Sequence, residues 1–189
     1  MADEQESKPA APAPAAPAAP KVDPLAEPVA SPALERLRER HAELIEDVRF
    51  WAGVPIVRVR RDEVVEVLRF LRDDERCRFD HLATLFATHF PDRAEAPLEV
   101  TYCLFSWPTR QELIVKVVTP EGEQVPSVTG VYPSANWNER EAYDMVGVEF
   151  SGHPDPTRIL LPDDWQGHPL RREYPLEGNP GDHKTYRKE

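Results

Sequence analysis

The spacing of hydrophobic residues predicts a long first helix. Ser31–Pro32 supplies a hydroxyl N-cap followed by proline at the first helical position, which is typical of a helix start. From Leu34 to Trp51 the apolar residues then fall on one helical stripe, and Gly53 marks its end. We therefore expect a single helix that runs from residue 31 to Gly53.

The same spacing predicts two further helices. Asp62 can cap the second helix, and the charged run Asp73–Arg76 ends it. Its buried face is predicted to consist of Val64, Val65, Leu68 and Leu71. The third helix covers Asn136–Val146, and Gly147 is placed for a left-handed C-terminal cap.

Alternating and β-branched runs predict about four strands. Two clear strands cover Leu98–Trp107 and Glu112–Thr119. Val54–Val59 is a short β-rich run with arginines in and after it, which favours an edge strand, and Gln124–Val131 predicts a weaker fourth strand. Phe79–Phe90 suits a helix in its middle and a strand towards its end, so both alternatives are open there.

These elements predict an α+β fold, with a small, mostly antiparallel sheet of about four strands and helices packed on it. Residues 1–33 contain eleven Ala and eight Pro but no aromatic residue, so we expect a disordered tail there. The α+β domain covers residues 34–150, a length that can bury about two-thirds of its unfolded surface. Residues 151–189 are expected to form an extended C-terminal docking segment.

Charge, hydropathy and cysteine content limit the classes of protein to which this chain can belong. The net charge of −11 is spread evenly along the chain, so we expect no basic face that binds nucleic acid. Asp3, Glu4 and Glu6 argue against a secretory or transit peptide, and no apolar run is long enough to span a bilayer. Cys77 and Cys103 are predicted to be buried, reduced thiols of a cytoplasmic protein.

The proline-rich end of the chain predicts a segment that lies on a surface. Five prolines between residues 154 and 175 interrupt every helix or strand ladder that could form there. The backbone donors and acceptors must still be satisfied, and the aromatic and branched residues favour burial over solvation. We therefore expect the segment to finish folding only on neighbouring proteins.

Few motifs for catalysis or cofactor binding are present. The eight glycines form neither a dinucleotide fingerprint nor a phosphate-binding loop, and two distant cysteines cannot hold an iron–sulfur cluster. His153 and His168, each in a Gly-His-Pro turn with aspartates nearby, are the best metal candidates. The alternative is that each imidazole bonds backbone groups at its own turn.

Charged residues of the third helix are expected to form ion pairs. Glu139 and Glu141 flank Arg140, and Asp144 lies four residues beyond it, which favours pairing within the helix or with a partner. Further along, Arg171–Arg172 lies near a tryptophan and a tyrosine, residue types that dominate interface energetics. We interpret the arginine pair as an interface anchor; a solvated surface is the alternative.

The spacing of these residues resembles one family. The pattern Asn-Trp-x-Glu-Arg-Glu-x-x-Asp-x-x-Gly-x-x-Phe starts at Asn136, Gly-His-Pro-Asp follows at 152–155, and Gly-His-Pro-Leu-Arg-Arg-x-Tyr-Pro follows at 167–175. This pattern resembles the C subunit of NADH-quinone oxidoreductase, the bacterial form of the 30-kilodalton subunit of respiratory complex I. The resemblance is strong over residues 136–178 and moderate from Phe79 to Pro133.

The resemblance implies a structural role. Members of this family hold no cofactor, since NADH, FMN, the iron–sulfur clusters and quinone are bound by other subunits of the proton-translocating complex. They pack in its peripheral arm against the quinone-chamber subunit and near the terminal-cluster subunit, on the cytoplasmic side of the cell inner membrane. They meet the membrane only through partners, and the chain alone is expected to have no catalytic residues.

Three alternatives to this role are open. One is the equivalent subunit of a related membrane-bound hydrogenase, or of a dehydrogenase with another electron donor. The second is a free-standing metal enzyme that uses His153 and His168. The third is a generic soluble adaptor.

The resemblance also suggests which residues dock and where this chain departs from the family. The residues expected to contact partners are Trp137, Glu139, Arg140, Glu141, Asp144, His153, Arg158, Trp165, His168, Arg171, Arg172 and Tyr174. The run Asp155–Arg158 lacks one arginine of the family pattern, Glu173 replaces a common aspartate, and His89 stands where an acid is expected.

Overall fold

The computed structural model describes residues 30–179, so most of the predicted N-terminal tail and residues 180–189 lie outside the described residues. The helices α1–α3 and strands β1–β7 are α1 Pro32–His41, β1 Ile45–Trp51, β2 Val54–Val59, α2 Val64–Asp73, β3 His81–His89, β4 Leu98–Ser106, β5 Gln111–Thr119, β6 Val125–Pro126, α3 Ala135–Val146 and β7 Phe150–Ser151. Each helix in this range is too short and too polar to cross a bilayer.

The main sheet has five strands in the order β1-β2-β5-β4-β3. The pairs β1–β2, β4–β5 and β3–β4 are antiparallel, whereas β2 and β5 run parallel. Strands β6 and β7 form a separate two-stranded parallel sheet. The predicted α+β fold with a mostly antiparallel sheet is therefore confirmed, with five strands in the main sheet where about four were expected.

The prediction of one long first helix is wrong for the residues after His41. Helix α1 ends at His41, and residues Ile45–Trp51 form strand β1, which pairs with β2. The chain reverses at Ala52 and Gly53, both left-handed at φ 50° and 82°, as a two-residue hairpin turn requires. A β-bulge between Ile45 and Asp47 explains the misleading pattern, because it places Ile45 and Val48 on one face of the strand although they are three residues apart, the spacing of a helix.

Three smaller expectations also need correction. Strand β2 lies between β1 and β5, so it is not an edge strand. Asp62 does not cap α2, because the helix starts at Val64 after the 3₁₀ turn Arg61–Glu63 without a side-chain cap. Gln124–Val131 contributes only the short strand β6, because its partner β7 is also two residues long.

Other predicted elements are confirmed. The ambiguous stretch Phe79–Phe90 contains strand β3, and the two clear strands appear as β4 and β5. Helix α3 starts one residue earlier than predicted, at Ala135, and Gly147 caps it at φ 84°. Ser31 accepts a hydrogen bond from the Leu34 amide, as expected of the N-cap of α1.

Buried residues of the helices and of the main sheet form one hydrophobic core. In α2, Val64, Leu68 and Leu71 are buried as predicted, while Val65 is only partly buried. Helix α3 packs on the edge strand β3, where the Asn138 side chain donates to the Leu85 carbonyl over 3.3 Å. That contact covers a strand edge that would otherwise present free backbone groups, and it fixes α3 at the side of the sheet.

The two cysteines differ in burial. Cys77 is buried and Cys103 is half-buried, and both thiols are free. Burial, helped by the negative charge of Asp74, raises the pKa of the Cys77 thiol to about 12. The thiol is therefore protonated and unreactive at neutral pH.

The β1–β2 turn gives a first prediction about stability. Ala52 adopts a left-handed conformation that costs a residue with a Cβ about 1–2 kcal/mol, and Asn tolerates it better. The change Ala52→Asn should therefore raise the free energy of unfolding by about 0.5–1 kcal/mol, measured by denaturant unfolding.

The matched control is Ala42→Asn. Ala42 is also exposed but right-handed at φ −57° and ψ −35°, so Asn should give no gain there. Equal stability of the two variants would contradict the proposed turn geometry.

Candidate interaction site: helix α3 and the C-terminal segment

The end of helix α3 is where the C-terminal segment, residues 151–179 as described, attaches to the domain. The last carbonyls of a helix have no partner within the helix and must find one elsewhere. The Gly147 amide donates to the carbonyls of Ala142 and Tyr143 over 3.2 and 2.8 Å. These two acceptors are therefore satisfied by the left-handed cap itself.

The next three carbonyls are satisfied by the C-terminal segment. The Asp144 carbonyl accepts from His168 Nδ1 (3.1 Å), that of Met145 from the Leu170 amide (2.9 Å), and that of Val146 from Arg171 Nε (2.7 Å). The positive charge of Arg171 also lies at the negative end of the helix dipole. The segment thus acts as an extended C-terminal cap of α3.

Gly147 is required here for two independent reasons. Its φ of 84° is strained for a residue with a side chain. A Cβ at this position would also lie 2.5 Å from Cδ2 of His168 and 2.8 Å from Nη2 of Arg171. A larger residue would therefore push away both side chains that cap the helix.

The carboxylate of Asp144 is the main anchor of the segment. It is fully buried and its Oδ2 accepts three backbone hydrogen bonds, from the amides of Ile159 (3.1 Å), Leu160 (2.7 Å) and Leu161 (2.9 Å). Its Oδ1 accepts from Arg158 Nη1 over 2.5 Å. One carboxylate thus orders four consecutive residues of a proline-rich stretch.

These hydrogen bonds decide the charge state of Asp144. Burial alone would raise its pKa, but the bonds from Arg158 and from the amides of Leu161, Leu160 and Ile159 outweigh burial and hold the pKa below its usual value. Asp144 is therefore ionised at neutral pH, and its charge is paired and fully hydrogen-bonded.

Arg158 extends this network to the second Gly-His-Pro turn. Its Nη1 also approaches the Asp144 carbonyl at 3.3 Å, and its Nη2 donates to the carbonyls of Trp165 and Gly167, each over 3.1 Å. A guanidinium has five donors in a fixed fork, so one side chain can join a helix end to a distant turn.

Arg140 holds the start of the same stretch from the helix surface. Its Nε donates to the Thr157 carbonyl (3.0 Å), and its Nη2 donates to Thr157 Oγ1 (3.0 Å) and to the Arg158 carbonyl (2.9 Å). Its charge partner is Asp155, at 3.5 Å. The expectation that Arg140 pairs with acids of its own helix is therefore wrong, because it turns towards the C-terminal segment.

Glu139 lies inside the domain rather than on a docking surface. Its side chain is fully buried, and Oε1 accepts from the Val128 amide over 2.7 Å. Burial raises the pKa of Glu139, although the hydrogen bonds from the Val128 amide and Ser127 act in the opposite direction. Glu139 therefore joins the loop before α3 to the helix.

Both ring nitrogens of His153 are occupied by protein groups. Its Nε2 donates to the Asn136 carbonyl over 3.1 Å, and its Nδ1 accepts from the Asp155 amide over 3.0 Å. In this arrangement Nε2 is the donor and Nδ1 the acceptor. A metal ion would have to displace one of these bonds.

His168 is held in the same way at the end of α3. Burial lowers its pKa, and the charges of Arg171 and Arg158 lower it further, against the hydrogen bond to the Asp144 carbonyl. The imidazole is therefore neutral at pH 7. Of the two alternatives for the histidines, bonding of each imidazole to backbone groups fits the structure, although His168 bonds the end of α3 and not its own turn. Neither ring belongs to the group of candidate metal ligands found within residues 30–179.

The remaining predicted docking residues are exposed or half-buried. Trp137, Glu141 and Arg172 are exposed, and the Trp137 ring is 64% exposed with Arg140 at 5.6 Å from its centre. Trp165 and Tyr174 are half-buried. The predicted site thus divides into an inner set that binds its own domain and an outer set that faces solvent.

The expectation that the segment folds only on neighbouring proteins needs correction for residues 151–179. Its prolines do exclude a helix or ladder, but side chains of α3 and arginines of the segment satisfy its backbone groups instead. The contact residues that sequence analysis missed are Glu121, Val128 and Thr157. They contribute backbone groups, a hydroxyl or a loop carboxylate, for which the chain carries no pattern.

The buried anchor gives a testable prediction. In Asp144→Asn the amide nitrogen faces donors that need an acceptor, so the variant should lose about 3 kcal/mol in the free energy of unfolding. Trypsin should also cut faster after Arg158 and Arg171. The matched control is Asp155→Asn, an exposed member of a surface pair, which should cost less than about 1 kcal/mol.

The pH dependence provides a second measurement on Asp144→Asn. Because the pKa of Asp144 is lowered on folding, its stabilisation is complete above the ordinary value of about 4. It is lost as the pH falls towards the lowered value. The stability difference between wild type and variant should therefore shrink only below about pH 4; a difference that is constant from pH 7 to pH 2 would contradict an ionised anchor.

Known proteins resemble both the sequence and the fold. The family model described as "Respiratory-chain NADH dehydrogenase, 30 Kd subunit" matches residues 57–180. The chain is 44% identical over 144 residues to the C subunit of NADH-quinone oxidoreductase from Roseiflexus sp. (strain RS-1), covering 76% of this chain and 82% of that protein. It is 41% identical over 147 residues to the protein of the same name from Geobacter sulfurreducens, covering 77% and 90%.

Other relatives are longer than this chain. The corresponding protein of Nocardioides sp. (strain ATCC BAA-499 / JS614) is 44% identical over 127 residues, which cover 67% of this chain but 51% of that protein. The chain thus spans about half of the length of that relative.

Two solved structures share the fold. A trypsin-resistant fragment of Nqo5 matches 65% of this chain and 98% of its own length, with 29% identity and a TM-score of 0.52. A chain of the membrane-bound sulfane sulfur reductase, an archaeal respiratory membrane complex, matches 64% of this chain and 69% of its own, with 24% identity and a TM-score of 0.55. The second likeness concerns the fold alone.

The family match covers most of the main sheet, helix α3 and the C-terminal segment, and several relatives share more than 40% of their aligned residues with the chain. This protein therefore belongs to the family of the 30-kilodalton subunit of respiratory-chain NADH dehydrogenase.

Proposed function

We propose that this protein is a cofactor-free structural subunit in the peripheral arm of a proton-translocating NADH:quinone oxidoreductase. It supports electron transfer by the whole complex without taking part in the chemistry. The observation that carries the proposal is the division of the α3 site, in which an inner network fixes the C-terminal segment and an outer set of side chains is left exposed.

The exposed set has the composition of a binding surface. We define the outer docking face as Trp137, Leu160, Leu170, Arg172 and Leu176, all of which are exposed. Large apolar side chains and arginines are the groups whose burial dominates protein interfaces. Since the backbone beneath them is already ordered by α3, binding would cost less conformational entropy than docking a disordered strap.

Family membership supports the choice of partners. The proposed partners are the subunit that forms the quinone chamber and the subunit that carries the terminal cluster. The protein would then lie on the cytoplasmic side of the cell inner membrane and reach the bilayer only through these partners. NADH, FMN, iron–sulfur clusters and quinone would be bound by other subunits.

An exposed tryptophan provides the sharpest test of the docking face. The change Trp137→Ala should lower the amount of assembled complex, since loss of an interface tryptophan costs about 2 kcal/mol or more. The variant gene would replace the wild type in cells, and assembly would be measured on native gels together with NADH:quinone activity of membranes. Stability of the purified chain should stay unchanged because the ring is exposed.

The matched control is Trp107→Ala. Trp107 is similarly exposed, at 67%, but lies beyond β4 at the turn towards β5. Normal assembly with Trp107→Ala and reduced assembly with Trp137→Ala supports the outer docking face. The reverse pattern would place docking at the β4–β5 turn and would contradict the proposal.

The two neighbouring arginines should behave differently. Arg171 bonds Val146 and Glu121 within the chain, so Arg171→Ala should lower both the stability of the purified protein and assembly. Arg172 is exposed, so Arg172→Ala should lower assembly but leave the stability of the purified protein unchanged. The charge on the neighbouring subunit that Arg172 would pair with is then left unpaired, at a cost of about 2–5 kcal/mol. Thermal unfolding and native gels separate these effects; a stable Arg172→Ala chain that assembles normally counts against this role.

A further inference from the structure

One end of the main sheet brings an imidazole and two carboxylates together. His89 ends β3 and pairs with Leu98, the first residue of β4, which in turn pairs with Thr119 at the end of β5. His89 and the turn after β5 therefore share one end of the sheet. Glu121 lies in that turn, two residues beyond Thr119.

The C-terminal segment adds the second carboxylate. Arg171 is tied to the end of α3 and to Glu121, and this places Glu173 beside His89. One ligand atom from each of His89, Glu121 and Glu173 lies within 4.8 Å of the other two. Three groups from three separate parts of the chain thus converge on one point.

The Nδ1 atom of the His89 imidazole is buried without a hydrogen-bond partner among the described residues. Its side chain is only 6% exposed, and Nδ1 is 3.3 Å from Glu173 Oε2. The geometry is nevertheless not that of a hydrogen bond, and Nδ1 is buried without a partner among the described residues. A buried ring nitrogen without a partner is unfavourable, and here it points at two carboxylates.

We propose that His89, Glu121 and Glu173 bind one divalent transition-metal ion, with Zn²⁺ as the best fit. An imidazole nitrogen with two carboxylate oxygens is a ligand set that zinc accepts, whereas Ca²⁺ and Mg²⁺ prefer oxygen alone. Water would occupy the fourth position of a tetrahedral site. The imidazole would contribute the lone pair of Nδ1, an atom with no hydrogen-bond partner among the described residues.

Both carboxylates have room to reach the ion. Zinc–oxygen and zinc–nitrogen distances are about 2.0–2.2 Å, so the three ligand atoms must approach one another from their present separation. The side chains of Glu121 and Glu173 are half-exposed and can rotate, while His89 is fixed by burial. A fixed nitrogen with two adjustable oxygens is suited to an ion that arrives after folding.

Within the described residues, Arg171 is the arginine that forms ion pairs with both carboxylates. Its Nη1 lies 2.9 Å from Glu121 Oε1 and 3.7 Å from Glu173 Oε1. One guanidinium does not neutralise two carboxylates, so the site keeps a net negative charge. Arg171 keeps its second bond, from Nε to the Val146 carbonyl, when Glu121 turns towards an ion.

Metal binding at this point would clamp the C-terminal segment to the sheet. Glu173 belongs to the segment, whereas His89 and Glu121 belong to the sheet end, so an ion would add a second attachment beyond the α3 cap. This inference concerns the chain itself and does not depend on the proposed assembly into a respiratory complex.

Calorimetric titration of the purified full chain with ZnCl₂ tests the proposal. One ion per chain is expected to bind. The changes His89→Ala and Glu173→Gln should each weaken binding at least about tenfold, since even the loss of an outer partner of a metal ligand costs about 10–100-fold. His81→Ala is the matched control, because His81 is an exposed histidine at the other end of β3, and it should leave the affinity unchanged.

A second measurement separates loss of a ligand from loss of the fold. Zinc should slow trypsin cleavage after Arg171 and Arg172 in the wild type, but not in Glu173→Gln, whose half-exposed side chain can be replaced without disturbing the core. Absence of zinc binding by the wild type overturns the proposal. Equal affinity of wild type and Glu173→Gln overturns it as well, because the ion would then be held elsewhere.

Discussion

The buried carboxylate of Asp144 is the contact on which the end of this structure depends. Three consecutive amides and one guanidinium converge on it, and its own carbonyl accepts from His168. A helix residue thereby orders a proline-rich stretch that cannot form a helix or ladder of its own. The negative charge is stable only because these donors replace the water that burial removes.

The α+β domain provides a rigid base for this contact. Helix α3 packs on the edge strand β3, and the left-handed Gly147 turns the chain away so that His168 and Arg171 reach the helix end. The inner side chains of the segment therefore face the domain. The side chains that remain exposed form the proposed outer docking face, on an ordered backbone. In a structural subunit such pre-ordering favours tight assembly, since little entropy is lost on binding.

The sequence predicted most of the sheet because β4 and β5 are long, β-branched runs whose period is unambiguous. It failed over Ile45–Trp51, because a β-bulge between Ile45 and Asp47 leaves Ile45 and Val48 three apart, the spacing of a helix, although the stretch is a strand. At the site, charge and residue type identified Asp144, Arg158 and Arg171 as important. They could not reveal that these residues bind their own domain, because their acceptors are backbone groups that leave no pattern in the sequence.

Helix α3 orders the C-terminal segment within the single chain, without help from a partner. Hydrogen exchange of the amides of Ile159, Leu160 and Leu161 in the isolated protein tests this most directly. These amides donate to a buried carboxylate, so they should exchange as slowly as the amides of the domain core and lose that protection in Asp144→Asn. Exchange at the rate of an unstructured peptide in the isolated wild-type protein would contradict the ordering of the segment by α3.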